Sequence, residues 1–309
     1  MDLIVQPTDG VTPLIVAIKK ATKTIHVTIF RFDIKELQKA LESAVTRGVK
    51  VHALIAHTTG SGGKNLRKLE MELLNAGVTV SRTDDDLVRY HNKMILIDHE
   101  VLYTLGFNFA RIDIEKSRSM GVATRNPRAV AEAEKLFEAD STRQPYTAGY
   151  ECFLVSPENA RERLGRFITG ARRQLLIYDP QVSDDGMLRL ITERIKAGVD
   201  VRVIGEVESK WNVKSEKYPG KRLHIRAIIR DGKRAFVGSQ SLRRLELEKR
   251  REVGVIITDD AVIKEMTDIF EKDWAQTSRG RKEMKKAEKK AVKAEKAEKA
   301  GKRELKLVS

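Results

Sequence analysis

Two short motifs combine a histidine, a basic residue and an aspartate at the same spacing. They consist of His91, Lys93 and Asp98 in the first copy and of His224, Arg226 and Asp231 in the second. Residues two apart in a strand point to the same face of a sheet, so each histidine and its cation lie side by side. An imidazole beside a fixed positive charge suits reactions of an anionic, phosphate-bearing group. Because the pattern occurs twice, we interpret both copies as functional.

The elements that must position these motifs also repeat. Residues 90–122 align without a gap with residues 223–255. In each half, β-rich runs alternate with segments whose apolar residues recur at helical spacing, which indicates βαβ units. The pattern predicts an α/β protein of two similar halves, each a mixed, mostly parallel sheet flanked by helices.

Changes in composition divide the chain into three parts. We expect a first half over 1–145, a second half over 146–278 and a basic tail over 279–309. The tail holds +8 of the net charge of +15, so the two halves are only mildly basic. Its Ala/Lys/Glu sequence favours helix but offers almost no apolar face to bury. We predict a flexible or partly helical tail that acts as a tether to an anionic membrane surface or to nucleic acid.

Composition narrows the class of protein further. Of 309 residues, 41% are hydrophobic and 33% charged, which excludes a wholly disordered chain. The apolar runs are far shorter than the ~20 residues of a membrane-spanning helix. The single cysteine, Cys152, excludes an internal disulfide and a cysteine metal pair. We expect a cytoplasmic monomer that can also associate peripherally with a membrane.

The two motifs, set in two similar halves, resemble those of the phospholipase D superfamily. The resemblance covers about residues 4–276 and includes Pro-x-Asp-Gly at 7–10, Arg-Gly-Val at 47–49 and Phe-x-x-Asp-Trp at 270–274. It implies that the halves pack face to face around one active site. In that family one histidine attacks phosphorus to form a phosphohistidine and the other protonates the leaving group, without a metal or other cofactor.

The resemblance also implies roles for particular residues. The catalytic set would be His91, His224, Lys93, Arg226 and Glu252. We expect His91 to be the nucleophile and His224 the general acid. Glu252 lies about thirty positions after His224 and would orient that ring, whereas the aligned position after His91 is Ser119. The two cations would bind the phosphoryl oxygens.

Further residues follow from the segment after each motif. Asn108, Ser239 and Ser241 would bind the substrate phosphate, although Ser241 stands where the family has asparagine and Gly106 where it has serine. Asp98 and Asp231 would support the site without taking part in the chemistry.

Three functions stay open on the sequence alone. The first is a phosphodiesterase or phosphatidyltransferase that acts on phospholipid phosphodiesters. The second is a metal-independent endonuclease of the same superfamily, favoured by the basic tail. The third is a catalytically degenerate anion-binding scaffold, suggested by Ser119, Gly106 and Arg226.

Overall fold

The first part of the chain forms a sheet flanked by helices. The computed structural model describes residues 1–57, 63–220 and 222–291, although the side chains of 63–65 are not described. The elements of this part are β1 (Asp2–Gln6), α1 (Thr12–Lys20), β2 (Thr24–Ile29), α2 (Lys35–Thr46), β3 (Lys50–Ile55), α3 (Gly63–Asn75), β4 (Thr79–Arg82), β5 (Arg89–Tyr90), β6 (Met94–Ile97), β7 (Val101–Leu105), α4 (Arg111–Glu115), β8 (Ser119–Thr124) and α5 (Pro127–Thr142). The strand order is β1-β8-β7-β6-β2-β3-β4.

The second part repeats this arrangement. Its elements are β9 (Phe153–Ser156), α6 (Ala160–Thr169), β10 (Gln174–Val182), α7 (Asp185–Lys196), β11 (Asp200–Val207), a 3₁₀ turn (Ser209–Trp211), β12 (Lys214–Glu216), β13 (Ala227–Arg230), β14 (Arg234–Gly238), α8 (Arg244–Glu248), β15 (Arg250–Ile257) and α9 (Asp260–Ala275). The strand order β9-β15-β14-β13-β10-β11-β12 matches that of the first sheet element by element. The predicted α/β class and the internal repeat are confirmed.

One detail of the sheet prediction was wrong. Each sheet is mixed, but within the two matching strand orders the parallel pairings are confined to one edge, β2-β3-β4 in the first sheet and β10-β11-β12 in the second. A further short parallel pairing joins β5 of the first half to β15. The other neighbours along both orders are antiparallel. The βαβ pattern holds only where a helix separates two strands. The strand after each motif turns back within a few residues, and so short a connection can join only antiparallel strands.

The two sheets pack face to face. One continuous core contains side chains from both halves, among them Leu96 and Met120 from the first and Leu176 and Ile229 from the second. The helices that end the two halves pack into this core through Phe137 of α5 and Phe270 of α9. A side-chain cap begins each of these helices, supplied by Asn126 and Asp259. The expected face-to-face packing is confirmed.

Two buried ion pairs cross between the halves at related positions. Arg118 in the first half lies 2.9 Å from Asp273 at the end of α9. Arg251, at the aligned position of the second half, lies 3.1 Å from Asp140 near the end of α5. Arg251 also contacts Glu158 at 2.6 Å. The two halves are therefore joined by a pair of reciprocal clamps on either side of the motifs.

The two predicted boundaries, at residues 145 and 278, fall in different kinds of structure. The boundary at 145 falls between α5 and β9. The chain is helical over 278–291, where Glu283 accepts a hydrogen bond from the Trp274 indole at 2.9 Å and residues 281–291 are exposed. The rest of the predicted tail, 292–309, lies outside the described residues. Within the described ranges, no helix has the length and apolar character that crossing a bilayer requires.

Candidate active site

Each motif enters the site against a strand of the opposite half. The short strand β5, just before His91, pairs with the start of β15, and the His91 amide donates to the carbonyl of Arg251 at 2.8 Å. The second motif is held in the same way, because the His224 amide donates to the carbonyl of Arg118 at 2.9 Å. Each motif therefore pairs with a strand of the opposite half. As a result, each histidine faces side chains that the other half supplies.

Glu252 contacts His91, not His224. Its carboxylate oxygens lie 2.9 and 3.0 Å from Nδ1 of His91, and its side chain is fully buried. The predicted pairing of Glu252 with His224 was therefore wrong. The prediction counted residues along one half, whereas the strand exchange puts β15 of the second half beside the first motif. Ser119, at the aligned position, donates its hydroxyl to the carbonyl of His224 at 2.9 Å.

His224 has a different carboxylate near it, one that sequence reasoning missed. Asp113 on α4 has an oxygen 3.6 Å from Nδ1 of His224 and is 1% exposed. It is held by Arg222 and by the side-chain amide of Asn108, which donates at 2.5 Å. The available signal was its aligned partner Glu246, since an acidic residue stands at the same place in both halves.

One motif cation contacts an imidazole directly, and both act on the two rings through their charge. The ammonium nitrogen of Lys93 lies 2.9 Å from both ring nitrogens of His91, and its side chain is almost fully buried. The guanidinium of Arg226 donates to the hydroxyl of Ser241 at 3.2 Å. Burial, Lys93 and Arg226 together hold the pKa of His91 well below its usual value. Burial and the same two cations do so for His224, although Asp113 opposes them.

The pKa values of the two carboxylates, Glu252 and Asp113, shift in opposite directions. Burial raises the pKa of Glu252 to about 7, against the effect of Lys93. Burial also acts to raise the pKa of Asp113, but His224, the Asn108 amide and Arg222 lower it to about 2. Asp113 is thus a fixed anion beside His224. The arrangement is one buried, cationic cluster in which two imidazoles with depressed pKa values each face a carboxylate.

The predicted phosphate-binding residues all line this region. Ser239 accepts from the amide of Val253 at 3.2 Å and lies beside Glu252. Ser241 contacts Arg226, and Asn108 holds Asp113 while its own carbonyl oxygen is buried without a partner. Contact with a substrate phosphate stays a prediction for these three. What the structure adds is that each also positions a charged group of the site.

Gly106, which stands where the family has serine, is enclosed by backbone atoms of the neighbouring strand β8 and of the opposite half. A Cβ at this position would lie 2.8 Å from the carbonyl oxygen of Met120 and 3.1 Å from that of Gly238. Both are backbone atoms, so neither can move aside cheaply. The glycine is therefore required by close backbone packing, both within the first half and across the interface.

Asp98 and Asp231 lie at the far ends of the strands that follow the motifs. The carboxylate of Asp98 accepts from the amides of residues 22–24 at 2.7–2.9 Å, and that of Asp231 from the amides of residues 172–174 at 2.7–3.0 Å. Burial acts to raise their pKa values, yet these donors hold both below the usual range. Asp98 thereby anchors the loop before β2 to the end of β6, and Asp231 anchors the loop before β10 to the end of β13. Within the described ranges, no three His, Cys, Asp or Glu side chains are grouped closely enough to hold a metal ion.

The comparison with known families agrees with this geometry. The family model described as "Cardiolipin synthase, PLD-like domain" matches residues 14–141 and 205–274. The chain belongs to this family. The resemblance to the phospholipase D superfamily drawn from the motifs is thereby confirmed.

Individual relatives are distant. A cardiolipin synthase of Clostridium perfringens (strain SM101 / Type A) is 23% identical over 319 residues, covering 84% of this chain and 67% of the relative. The structure of a phosphatidylserine synthase from Haemophilus influenzae Rd KW20 matches with a TM-score of 0.66 at 10% identity, over 87% of this chain and 85% of that one. A polyphosphate kinase from Porphyromonas gingivalis matches with a TM-score of 0.73 at 18% identity, over 87% of this chain and 49% of that one. The chain thus spans about two thirds of the synthase and half of the kinase, and the two structures show a shared fold.

Proposed function

We propose that the protein is a phospholipase D-type phosphodiesterase or phosphatidyltransferase that acts on phospholipid phosphodiesters through a phosphohistidine. The observation that carries the proposal is the reciprocal arrangement of the two motifs. Each histidine lies beside a carboxylate and a motif cation, and the two cations act on both rings. This is a site for one phosphoryl group between two imidazoles.

His91 is the better nucleophile of the two. Donation of Nδ1–H to Glu252 fixes the tautomer in which Nε2 keeps its lone pair. Nε2 attacks phosphorus, and the bond from phosphorus to the leaving oxygen breaks as a phosphorus–nitrogen bond forms. His224 then donates its Nε2 proton to the departing alkoxide.

His224 must be protonated to act as this acid, although its pKa is depressed in the free site. A phosphodiester anion between Lys93 and Arg226 compensates their positive charge, and the fixed anion Asp113 remains. Both effects favour the imidazolium once substrate is bound. In the second step, water or an alcohol attacks phosphorus and gives its proton to His224 while the bond to His91 breaks.

A lipid substrate is supported by the family match and by the names of the synthases that the chain resembles. The test is a parallel assay on phosphatidylcholine, phosphatidylglycerol, and single- and double-stranded DNA. We expect product from a lipid, loss of activity in His91→Ala and His224→Ala, and retention in His99→Asn, a matched change at an exposed histidine. Cleavage of DNA alone would support the endonuclease, and phosphate binding without turnover would support the scaffold.

A further inference from the structure

Two arginines converge with Lys93 on one aromatic ring beside the proposed nucleophile. The Phe30 ring meets the His91 ring edge to face, with centroids 4.5 Å apart. The guanidinium carbons of Arg31 and Arg89 lie 5.8 and 5.4 Å from the Phe30 centroid, and the Lys93 ammonium lies 5.7 Å from it. We call Arg31 and Arg89 the arginine pair; only one aromatic ring separates it from His91.

The second half of the molecule shows that the fold does not require the unpaired positive charge of the arginine pair. Arg222 occupies the position aligned with Arg89, and there it is neutralised by Asp113. The position aligned with Asp113 is Glu246, but Glu246 contacts Arg250 at 2.9 Å instead of Arg89. Among the described residues, no carboxylate lies within ion-pair distance of Arg31 or Arg89.

Phe30 and Arg31 also have no counterpart of the same kind in the second half. Phe30 and Arg31 align with Pro180 and Gln181 of the second half, which carry neither ring nor charge. Burial, Arg250 and Arg31 all lower the pKa of Arg89, as expected where cations face one another without enough anions. The His91 side of the site therefore holds a surplus of positive charge that the His224 side lacks.

We propose that the arginine pair is a subsite for a second phosphate of the substrate, next to the phosphodiester that reacts at His91. Guanidinium groups bind phosphate oxygens in a bidentate manner, and both guanidinium groups lie within cation–π distance of the Phe30 ring. The inference rests on the proposed function for the identity of the first phosphate. It adds a substrate class: phospholipids that carry two phosphates.

Binding of inorganic anions tests the subsite without any turnover. By calorimetry, we expect the wild-type protein to bind pyrophosphate about tenfold more tightly than phosphate, the effect of one added charge-assisted contact. Arg31→Gln and Arg89→Gln should remove most of this preference, and Arg89→Lys should keep part of it. Arg234→Gln, an exposed arginine at the start of β14, is the matched control and should keep all of it. Equal binding of both anions by the wild-type protein would overturn the subsite, whatever the enzyme's activity.

Substrates then separate the subsite from the proposed function. We expect kcat/KM for short-chain phosphatidylglycerol phosphate to exceed that for phosphatidylglycerol about tenfold. In the double variant Arg31→Gln/Arg89→Gln this excess should disappear, because kcat/KM should fall much more for the two-phosphate lipid than for phosphatidylglycerol. A thymidine dinucleotide with and without a 5′-phosphate forms the second arm. A two-phosphate preference confined to dinucleotides would keep the subsite but refute the lipid substrate. Equal losses on both members of a pair would refute the subsite.

Discussion

The reciprocal placement of the two carboxylates makes a sharp prediction for Glu252→Gln. Glutamine keeps the size of the side chain but can present its NH₂ group to Nδ1 of His91. That contact would favour the tautomer with hydrogen on Nε2, which has no lone pair for attack on phosphorus. The first chemical step should therefore slow, whatever the leaving group.

The expected size of the effect follows from the contact itself. Glu252 is fully buried and approaches Nδ1 at 2.9 and 3.0 Å, so the bond has the normal length and is shielded from water. Loss of one hydrogen bond to a charged group costs about 1.5–3 kcal/mol, which is a rate loss of about tenfold or more. Reversal of a catalytic tautomer costs up to about 10⁴-fold. The loss should fall between these bounds.

A nitrophenyl phosphodiester separates the two carboxylates. Its leaving group needs no general acid, so the pre-steady-state release of nitrophenol reports attack by His91 alone. Glu252→Gln should slow this burst, whereas Asp113→Asn should leave it intact and slow only substrates with alkyl leaving groups. Glu132→Gln, a buried glutamate bound to Tyr146, is the control. A normal burst in Glu252→Gln together with a lost burst in Asp113→Asn would show that the carboxylates serve the opposite histidines.

Three further predictions concern the interface, the chemistry and the tail. Arg251→Met leaves Asp140 buried without its partner and should lower the free energy of unfolding by about 3–5 kcal/mol in urea titrations, with Arg251→Lys as the milder control; a loss below about 1 kcal/mol would contradict the clamp. Burial raises the pKa of Asp140 to about 7 against the effect of Arg251. The folded state therefore holds a proton that the unfolded state releases above about pH 4, stability falls as pH rises through this window, and the loss in Arg251→Met should be larger at pH 8 than at pH 5. Activity should survive EDTA, because histidines and cations fill the roles that a metal would take; loss restored by Mg²⁺ or Zn²⁺ would contradict this. Truncation after Met284 removes a net charge of +6 and should weaken binding to anionic vesicles in a salt-dependent way without changing turnover of a soluble diester; equal loss of both would place the tail in the active site.

The repeat made most of the fold predictable from the sequence. Because aligned residues in the two halves adopt the same elements, the alignment of the two halves predicted two similar sheets flanked by helices. The parallel character was overestimated because periodicity identifies strands but not their directions. Direction is decided by connection length, as in the turn of residues 98–100 between β6 and β7.

The motif residues of the site were predictable, but the partners between the halves were not. His91, Lys93, His224 and Arg226 share a pocket because the repeat puts them at equivalent places. The assignment of Glu252 failed because sequence distance says nothing about which half a strand edge faces. Asp113 could have been found only by asking which acidic positions recur in both halves.

The most direct test of the account is the position of the covalent intermediate. Reaction with a phosphorus-labelled nitrophenyl diester, whose leaving group needs no general acid, followed by rapid quenching in base and peptide mapping, should place an acid-labile label on His91. The label should accumulate in His224→Ala, which cannot activate the second nucleophile, and be absent in His91→Ala. Label on His224 with none on His91 would contradict the assignment of nucleophile and acid, and turnover without label on either would contradict the shared two-histidine mechanism.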